Sequence, residues 1–131
     1  MRQRVADARV GRLATVGPGS APHLVPCCFV LDGDTAYSAV DGKPKSTRAL
    51  RRLDNIRANP NATLLVDFYA EDWGALWWVR VDASARVLDT AGAHEFDHAV
   101  ELLCAKYEQY RRDPPAGPVV ALDIVGWRAW P

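Results

Sequence analysis

The chain has 131 residues, of which 49% are hydrophobic and 24% charged, and its acidic and basic side chains are equal in number. This length predicts that residues 1–131 form one domain, and the balanced charge excludes a broad basic surface for nucleic acid. The sequence has no apolar leader and no run of about 18 apolar residues, so we expect a cytoplasmic protein without a membrane span.

The first third of the chain predicts three β-strands joined by tight turns. Alternating polar and apolar residues predict a strand over 11–17, which ends at Pro18-Gly19-Ser20. A second strand is expected over 23–31 and a third over 35–40, with Asp32-Gly33 as the hairpin signal between them. The three strands predict a β-meander.

The middle of the chain predicts an amphipathic helix. Ser46 or Thr47 is the expected N-cap, and the Asn59-Pro60 pair stops the helix. The apolar spacing is carried by Leu50, Leu53 and Ile56, and arginines at 48, 51, 52 and 57 occupy other faces.

The remaining expected elements are strands over 62–69, 77–88 and 119–125 and a helix over 93–111. The strand over 77–88 has one wholly apolar face and one mixed face, which carries Trp78 and Arg80. A short aromatic tail with Trp127 and Trp130 follows the last strand, and we expect it to pack on another surface such as a second subunit.

The basic turn between the third strand and the first helix is the strongest local signal. Two of the three lysines lie here beside hydroxyls and an arginine: Lys43, Lys45, Ser46, Thr47 and Arg48. Cations at a helix N-terminus oppose the macrodipole unless an anion intervenes, and the free amides there favour one. The turn therefore predicts a site for a phosphate or carboxylate on a small ligand.

Two other motifs are weaker than they look. His94-Glu95-Phe96-Asp97-His98 fits the HExxH pattern of zinc proteases, but the helical period places both histidines away from the apolar stripe, so no metal site is expected. A P-loop ending at Gly42-Lys43 would need glycine at Tyr37 and a hydroxyl at Pro44. No G-x-G-x-x-G follows a strand, which excludes a Rossmann site.

Seven stretches together carry a family resemblance. They are GRLATV at 11–16, PHLVP at 22–26, YSAVDGKPK at 37–45, NIRANP at 55–60, DFYAEDW at 67–73, LWWVR at 76–80 and YEQYR at 107–111. In this order they resemble the pyridoxamine 5′-phosphate oxidase-like (PPOX class) split β-barrel family. The resemblance is closer to its actinobacterial branch, which uses the deazaflavin coenzyme F420.

The resemblance implies a mainly β, α+β fold: a six-stranded split β-barrel with peripheral helices, of the FMN-binding type. It also implies a homodimer with two cofactor sites at the subunit interface. The implied cofactor is coenzyme F420, with FMN as the alternative.

The same resemblance implies the site residues. Lys43, Lys45, Ser46, Thr47 and Arg48 hold the cofactor phosphate, and an extra residue in this chain leaves open which lysine contacts it. The cofactor ring is lined by Ser38, Val25 and Pro26 and bordered by Trp78 and Arg80, and Trp127 or Trp130 completes the site from the partner subunit.

The implied activity is hydride transfer between the reduced ring and a small unsaturated or otherwise reducible organic substrate. The cofactor carries that chemistry, so no acid–base pair is required, and no catalytic residue is identified. Tyr69 and His23 are candidate proton donors. Two alternatives remain open: an FMN-dependent flavoprotein oxidoreductase of the same fold, and a non-catalytic protein that only binds F420 or a flavin.

Overall fold

The computed structural model describes residues 1–40, 47–89 and 92–131. The strands in these ranges are β1 Gly11–Val16, β2 Pro22–Cys27, β3 Val30–Asp32, β4 Thr35–Ala39, β5 Asn61–Phe68, β6 Trp77–Leu88 and β7 Val119–Trp130. The α-helices are α1 Arg2–Asp7, α2 Thr47–Ala58, α3 His94–Lys106 and α4 Glu108–Arg112. Within the described ranges, none of the helices has the length and apolar character needed to cross a membrane.

The strands form one antiparallel sheet that curls into a half-barrel. Their order is β2-β1-β5-β6-β7-β4-β3, so β2 and β3 lie at opposite edges. Only Cys28 and Phe29 connect these two edge strands. Because three residue steps reach about 11 Å at most, the sheet must curve until its edges approach each other.

The described sheet has seven strands, one more than the six expected. The single strand predicted over 23–31 is interrupted at Cys28-Phe29, and its two halves pair at different edges as β2 and β3. The Phe29 side chain is fully buried, and its amide donates to the Tyr107 hydroxyl at 3.0 Å instead of to a neighbouring strand. Tertiary packing therefore divides an apolar run that looks continuous in the sequence.

The hairpin expected near Asp32-Gly33 is present between β3 and β4. Asp32 pairs with Thr35, which leaves Gly33 and Asp34 as the two-residue turn. Gly33 has a φ of +60°, a left-handed conformation that glycine adopts without steric cost.

The half-barrel encloses the main core. Its largest fully buried side chains include Leu13, Phe29, Leu64, Val66, Val79, Val81 and Leu122. Two helices add to this core, because Val5 of α1 and the Leu53–Ile56 face of α2 are buried in it. These helices cover apolar surface that an open half-barrel would leave in water.

A second core lies between α3 and the other face of the sheet. Helix residues pack there on residues of β4 and β7, and the cluster contains Tyr37, Ala39, Phe96, Ala99, Leu103, Tyr107, Val119 and Ala121. Gly117 lies against it with a φ of +91°, and a Cβ at that position would lie 2.6 Å from Cε2 of Phe96. Glycine is therefore required there by both conformation and space.

The helix predicted over 93–111 is divided at Tyr107. This residue has φ −114° and ψ 120°, which is extended backbone between α3 and α4. Its hydroxyl accepts the Phe29 amide at 3.0 Å and lies 2.9 Å from the Phe29 carbonyl and 3.0 Å from the Arg9 carbonyl. The turn of chain that brings this hydroxyl to the edge of the barrel interrupts the helix.

Trp127 and Trp130 belong to the last strand and do not form a separate tail, so the expected end of that strand was wrong. β7 continues to Trp130 because β6 is equally long and supplies pairing partners up to Trp78, which pairs with Trp130. A register shift at Asp82/Ala83 accommodates the long pairing.

An ion-pair network joins α3 to the sheet. Arg86 donates two hydrogen bonds to Glu95, at 2.6 and 2.8 Å, and two to Asp123, at 2.6 and 2.9 Å. Tyr37 donates to Glu95 at 2.9 Å. The guanidinium holds the pKa of Glu95 down at about 2 and also lowers that of Asp123, while burial and the Glu95 contact raise the pKa of Tyr37 to about 12.

Candidate functional site

The expected phosphate anchor lies where β4 leads into α2. Lys43, Lys45 and Ser46 are outside the described residues. Thr47 is the first residue of α2, and Arg48 lies in its first turn. As the sequence predicts, a strand precedes the basic turn and a helix follows it.

Arg52 extends the expected anion site along α2, and the sequence interpretation did not single it out. It lies four residues after Arg48, one helical turn further on. Its Nε is buried and has no hydrogen-bond partner among the described residues. The i, i+4 spacing from Arg48 is the signal that could have identified it.

Arg52 also lies close to the end of β2. Burial raises the pKa of the Cys27 thiol, and the nearby Ser38 hydroxyl and the positive charge of Arg52 both oppose that rise. The guanidinium is therefore close enough for its charge to act on the end of the edge strand that was expected to line the cofactor ring. An anionic group bound there would supply the partner that the buried Nε lacks.

Ser38 and Val25 face the inside of the half-barrel. Ser38 is fully buried, and its hydroxyl donates to the Cys28 carbonyl at 2.7 Å. Val25 is half-buried and packs against the main core. Both residues lie near Cys28-Phe29, the connection between the two edge strands.

Pro26, Trp78 and Arg80 lie on the outer face of the sheet. Pro26 and Arg80 belong to one cross-strand row, which passes through Arg12 and Leu65. Within one subunit the structure therefore does not bring all the expected ring-contact residues together, because two of them face inward and three outward.

The outer face has incomplete polar contacts and exposed apolar side chains. Arg80 Nε lies 3.4 Å from Asp82 Oδ1, yet it is buried without a hydrogen bond among the described residues. Leu24 and Val125 are 66% and 74% exposed, which is unusual for aliphatic side chains on a sheet. Such a face is typical of a surface that contacts another molecule.

The two terminal tryptophans have different surroundings. Trp127 packs against the main core, and Arg2 lies 4.7 Å above its ring. Trp130 is beside Trp78 on the outer face and remains half-exposed. Of the two, Trp130 shares a face with Trp78 and Arg80.

The two candidate proton donors are not adjacent. His23 is half-buried on β2 opposite Thr15. Tyr69 follows β5, is exposed, and donates to Glu71 at 3.3 Å. Tyr69 lines an aromatic cleft together with Trp78 and Trp130.

Lys106, the one lysine within the described residues, contacts Phe29 and Tyr107 and lies outside the expected anion site. It donates to the Phe29 carbonyl at 2.8 Å and lies 4.2 Å from the centre of the Phe29 ring. Burial lowers its pKa to about 8. This lysine joins α3 to the connection between β2 and β3.

The HExxH histidines lie at the start of α3. His98 contacts Asp32 at 2.9 Å, and the His94 and His98 rings are stacked with centres 6.4 Å apart. No group of three or more His, Cys, Asp and Glu side chains within the described ranges is arranged to hold a metal ion. His98 thus fastens α3 to β3.

The fold and sequence place the chain in a family. A family model described as pyridoxamine 5′-phosphate oxidase matches residues 1–131. The chain therefore belongs to the pyridoxamine 5′-phosphate oxidase family. No curated protein sequence matches it.

Solved structures are similar over almost the whole chain. The heme storage protein HutZ from Vibrio cholerae is 14% identical with a TM-score of 0.76, covering 97% of this chain and 89% of that chain. A FAD-binding protein from Mesorhizobium loti is 20% identical with a TM-score of 0.64, and the match covers 98% of this chain and 87% of that chain. A heme binding protein from Mycobacterium smegmatis is 19% identical with a TM-score of 0.76, and the match covers 98% of this chain and 51% of that chain. At these identities the likeness shows the fold.

Proposed function

We propose that this protein is a homodimeric oxidoreductase that uses coenzyme F420, with FMN as the alternative flavin-type cofactor. When bound, the cofactor supplies a hydride for a small unsaturated or otherwise reducible organic substrate. The observation that carries the proposal is the buried, unpartnered Nε of Arg52, which lies on the helix that follows the basic turn.

The residues present fit an anionic cofactor. A buried guanidinium nitrogen without a partner is costly, and a phosphate or carboxylate oxygen would relieve that cost with a charge-assisted hydrogen bond. Lys43, Lys45, Ser46, Thr47 and Arg48 would hold the same anionic group, as the resemblance implies. Family membership supports a flavin-type cofactor in this position.

The division of the expected ring contacts between two faces supports a dimer. Val25 and Ser38 face inward in one subunit, whereas Trp78 and Arg80 face outward. A second copy docked on the outer face would cover Leu24 and Val125. It would also let Trp78 and Arg80 of the partner subunit border the cofactor and exclude water from its ring.

A side-by-side titration with F420 and FMN tests the cofactor assignment. We expect Arg52→Gln to weaken the affinity by about 1.5–3 kcal/mol, because one charge-assisted contact is lost. Arg57→Gln is the matched control: it lies on the same helix but pairs with Asp54 at 3.9 Å and Asp89 at 3.5 Å. Equal affinities for the wild type and Arg52→Gln would remove the main support.

The lysines test the rest of the anchor. Lys43→Ala and Lys45→Ala are expected to differ in cofactor affinity, since one lysine contacts the phosphate directly. If neither variant changes the affinity, the basic turn is not the anchor.

Turnover separates the enzyme from a binding protein. The expected result is oxidation of reduced cofactor with some members of a panel of enones, quinones and nitroaromatics. Binding without turnover across the panel would instead assign a carrier or sequestering role, for which HutZ, a storage protein of similar fold, provides a precedent.

A further inference from the structure

An aromatic cleft of about 360 Å³ opens at the end of the sheet where β5 turns into β6. Its walls are Asp67, Phe68, Tyr69, Leu76, Trp77, Trp78 and Trp130. The rings of Phe68 and Trp77 are stacked, with centres 6.3 Å apart and planes inclined by 19°. Phe68, Tyr69 and Trp130 are about half exposed or more, so this cluster offers ring faces to a ligand.

A second cleft, of about 320 Å³, adjoins the first and is rich in arginine. The two clefts share Asp67, Phe68 and Trp77. The second cleft is further lined by Arg4, Asp7, Ala8, Arg9, Val10, Arg12 and Val66. Three guanidinium groups against two carboxylates give this side a surplus of positive charge.

The three arginines are not equally available. Arg12 pairs with Asp67 at 3.3 Å, which neutralises the carboxylate shared by both clefts. Arg9 donates to the Lys106 carbonyl at 3.0 Å and lies 4.7 Å above the Tyr107 ring. Among the described residues, neither Arg9 nor Arg12 is free to bind a second carboxylate with its whole guanidinium.

Arg4 has a different environment. Its Cζ lies 4.9 Å from the centre of the Trp77 ring, and it forms no ion pair within the described parts of the chain. A guanidinium that stacks on a ring keeps its N–H donors at the edge, where they suit a planar carboxylate. Since Trp77 belongs to both clefts, those donors lie at the boundary between the aromatic and the basic side.

We propose that the two clefts form one binding site for a small planar aromatic carboxylate, with its ring against the aromatic wall and its carboxylate on Arg4. A ring surface alone would accept any planar molecule, and an arginine alone would accept any anion. Their adjacency selects a ligand that carries both features.

This site is separate from the expected phosphate anchor. Among the described residues, none of those lining the two clefts belongs to β4 or α2, the elements that flank the basic turn. Trp78 and Trp130 of the first cleft are also expected to border the cofactor ring, so the two sites share a wall. The binding proposed here goes beyond the proposed function and does not rest on the phosphate anchor.

The test is a titration of the full chain with 2-naphthoate and with 2-naphthamide, its uncharged analogue, by calorimetry and tryptophan fluorescence. We expect naphthoate to bind about tenfold more tightly than the amide, because only the carboxylate forms a charge-assisted pair. Equal affinities, or no binding of either compound, would overturn the proposal.

Variants assign the two halves of the site. Arg4→Gln should abolish the preference for naphthoate, and Arg4→Lys should keep only part of it. Trp130→Ala should lower the affinity for both compounds by about fivefold, because one ring of the aromatic wall is lost. The matched controls are Arg112→Gln, whose guanidinium pairs with Glu108, and Trp73→Ala, whose ring is 70% exposed outside the cleft. A retained preference in Arg4→Gln with an unchanged circular dichroism spectrum would contradict the role of Arg4.

Arg52→Gln distinguishes this site from the phosphate anchor, because Arg52 lies on α2 and lines neither cleft. This variant should leave naphthoate binding intact. Loss of naphthoate binding in Arg52→Gln, with an unchanged circular dichroism spectrum, would overturn the separation of the two sites, and failure of the cofactor titration alone would leave this site standing.

Discussion

Two arginines on the same strand of the sheet have opposite surroundings. Arg80 and Arg86 lie six residues apart on β6, so their side chains leave the same face of that strand. Arg86 lies against α3, and its guanidinium donates four hydrogen bonds to Glu95 and Asp123. Arg80 lies beyond α3 and has only a 3.4 Å contact with Asp82 and a buried Nε without a hydrogen bond.

The difference separates polar groups that are satisfied within the chain from polar groups that are not. A buried donor without a partner costs free energy, so a folded chain keeps few of them unless another molecule supplies the acceptor. The side covered by α3 satisfies its polar groups internally. The outer face and the end near α1 expose arginines and aromatic rings, and we propose that a partner or ligand binds there.

The largest loss of stability is expected when the hydroxyl of Tyr107 is removed. Tyr107→Phe leaves the buried Phe29 amide without its acceptor and should lower the free energy of unfolding by about 2 kcal/mol. Tyr69→Phe, which removes an exposed hydroxyl, should change it by less than about 0.5 kcal/mol. Urea unfolding of both variants measures this, and similar losses would show that Tyr107 is no anchor.

The two β6 arginines should differ when each is replaced by glutamine. Arg86→Gln should lower the free energy of unfolding by about 1–2 kcal/mol, because four charge-assisted bonds are lost at a half-exposed position. Arg80→Gln should change it by less than about 0.5 kcal/mol, and should weaken cofactor binding or dimerisation instead. Chemical denaturation measures both variants, and equal losses of stability would contradict the difference between the two arginines.

The smallest expected effect is the acid dependence of the same network. The pKa of Glu95 is lowered from 4.5 to about 2 in the folded chain, so its contribution is complete above pH 4.5 and is lost as the pH falls towards 2. Glu95→Gln should flatten the loss of stability over this range, by less than about 1 kcal/mol because the pair is partly solvated. Unfolding free energies at pH 5, 4 and 3 measure the slope, and an unchanged slope would locate the acid-sensitive group elsewhere.

Most of the secondary structure was predictable because it depends on local patterns. The hairpin at Gly33 and the helix that stops before Asn59-Pro60 follow from turn chemistry and helical spacing. The twelve-residue β6 follows from strict alternation. α1 was not predicted, because six residues with a single buried side chain, Val5, carry no periodic signal.

The candidate site was predictable only in part. The basic turn pointed to the start of α2 through residue type and order. Arg52 was missed because its significance depends on a buried Nε that lacks a partner, which spacing alone does not show. The division of Ser38 and Trp78 between two faces was missed because it follows from the curl of the sheet.

The sequence by itself determined most of the elements and the family, and it predicts an anion site at the basic turn, since each rests on residue types at short separations. The tertiary structure decided which arginines are satisfied, where the apolar run divides into β2 and β3, and which aromatic rings meet at one cleft. These depend on contacts between residues far apart in the chain, such as Phe29 with Tyr107 and Trp78 with Trp130. Their energies arise only when the sheet closes and helices cover it.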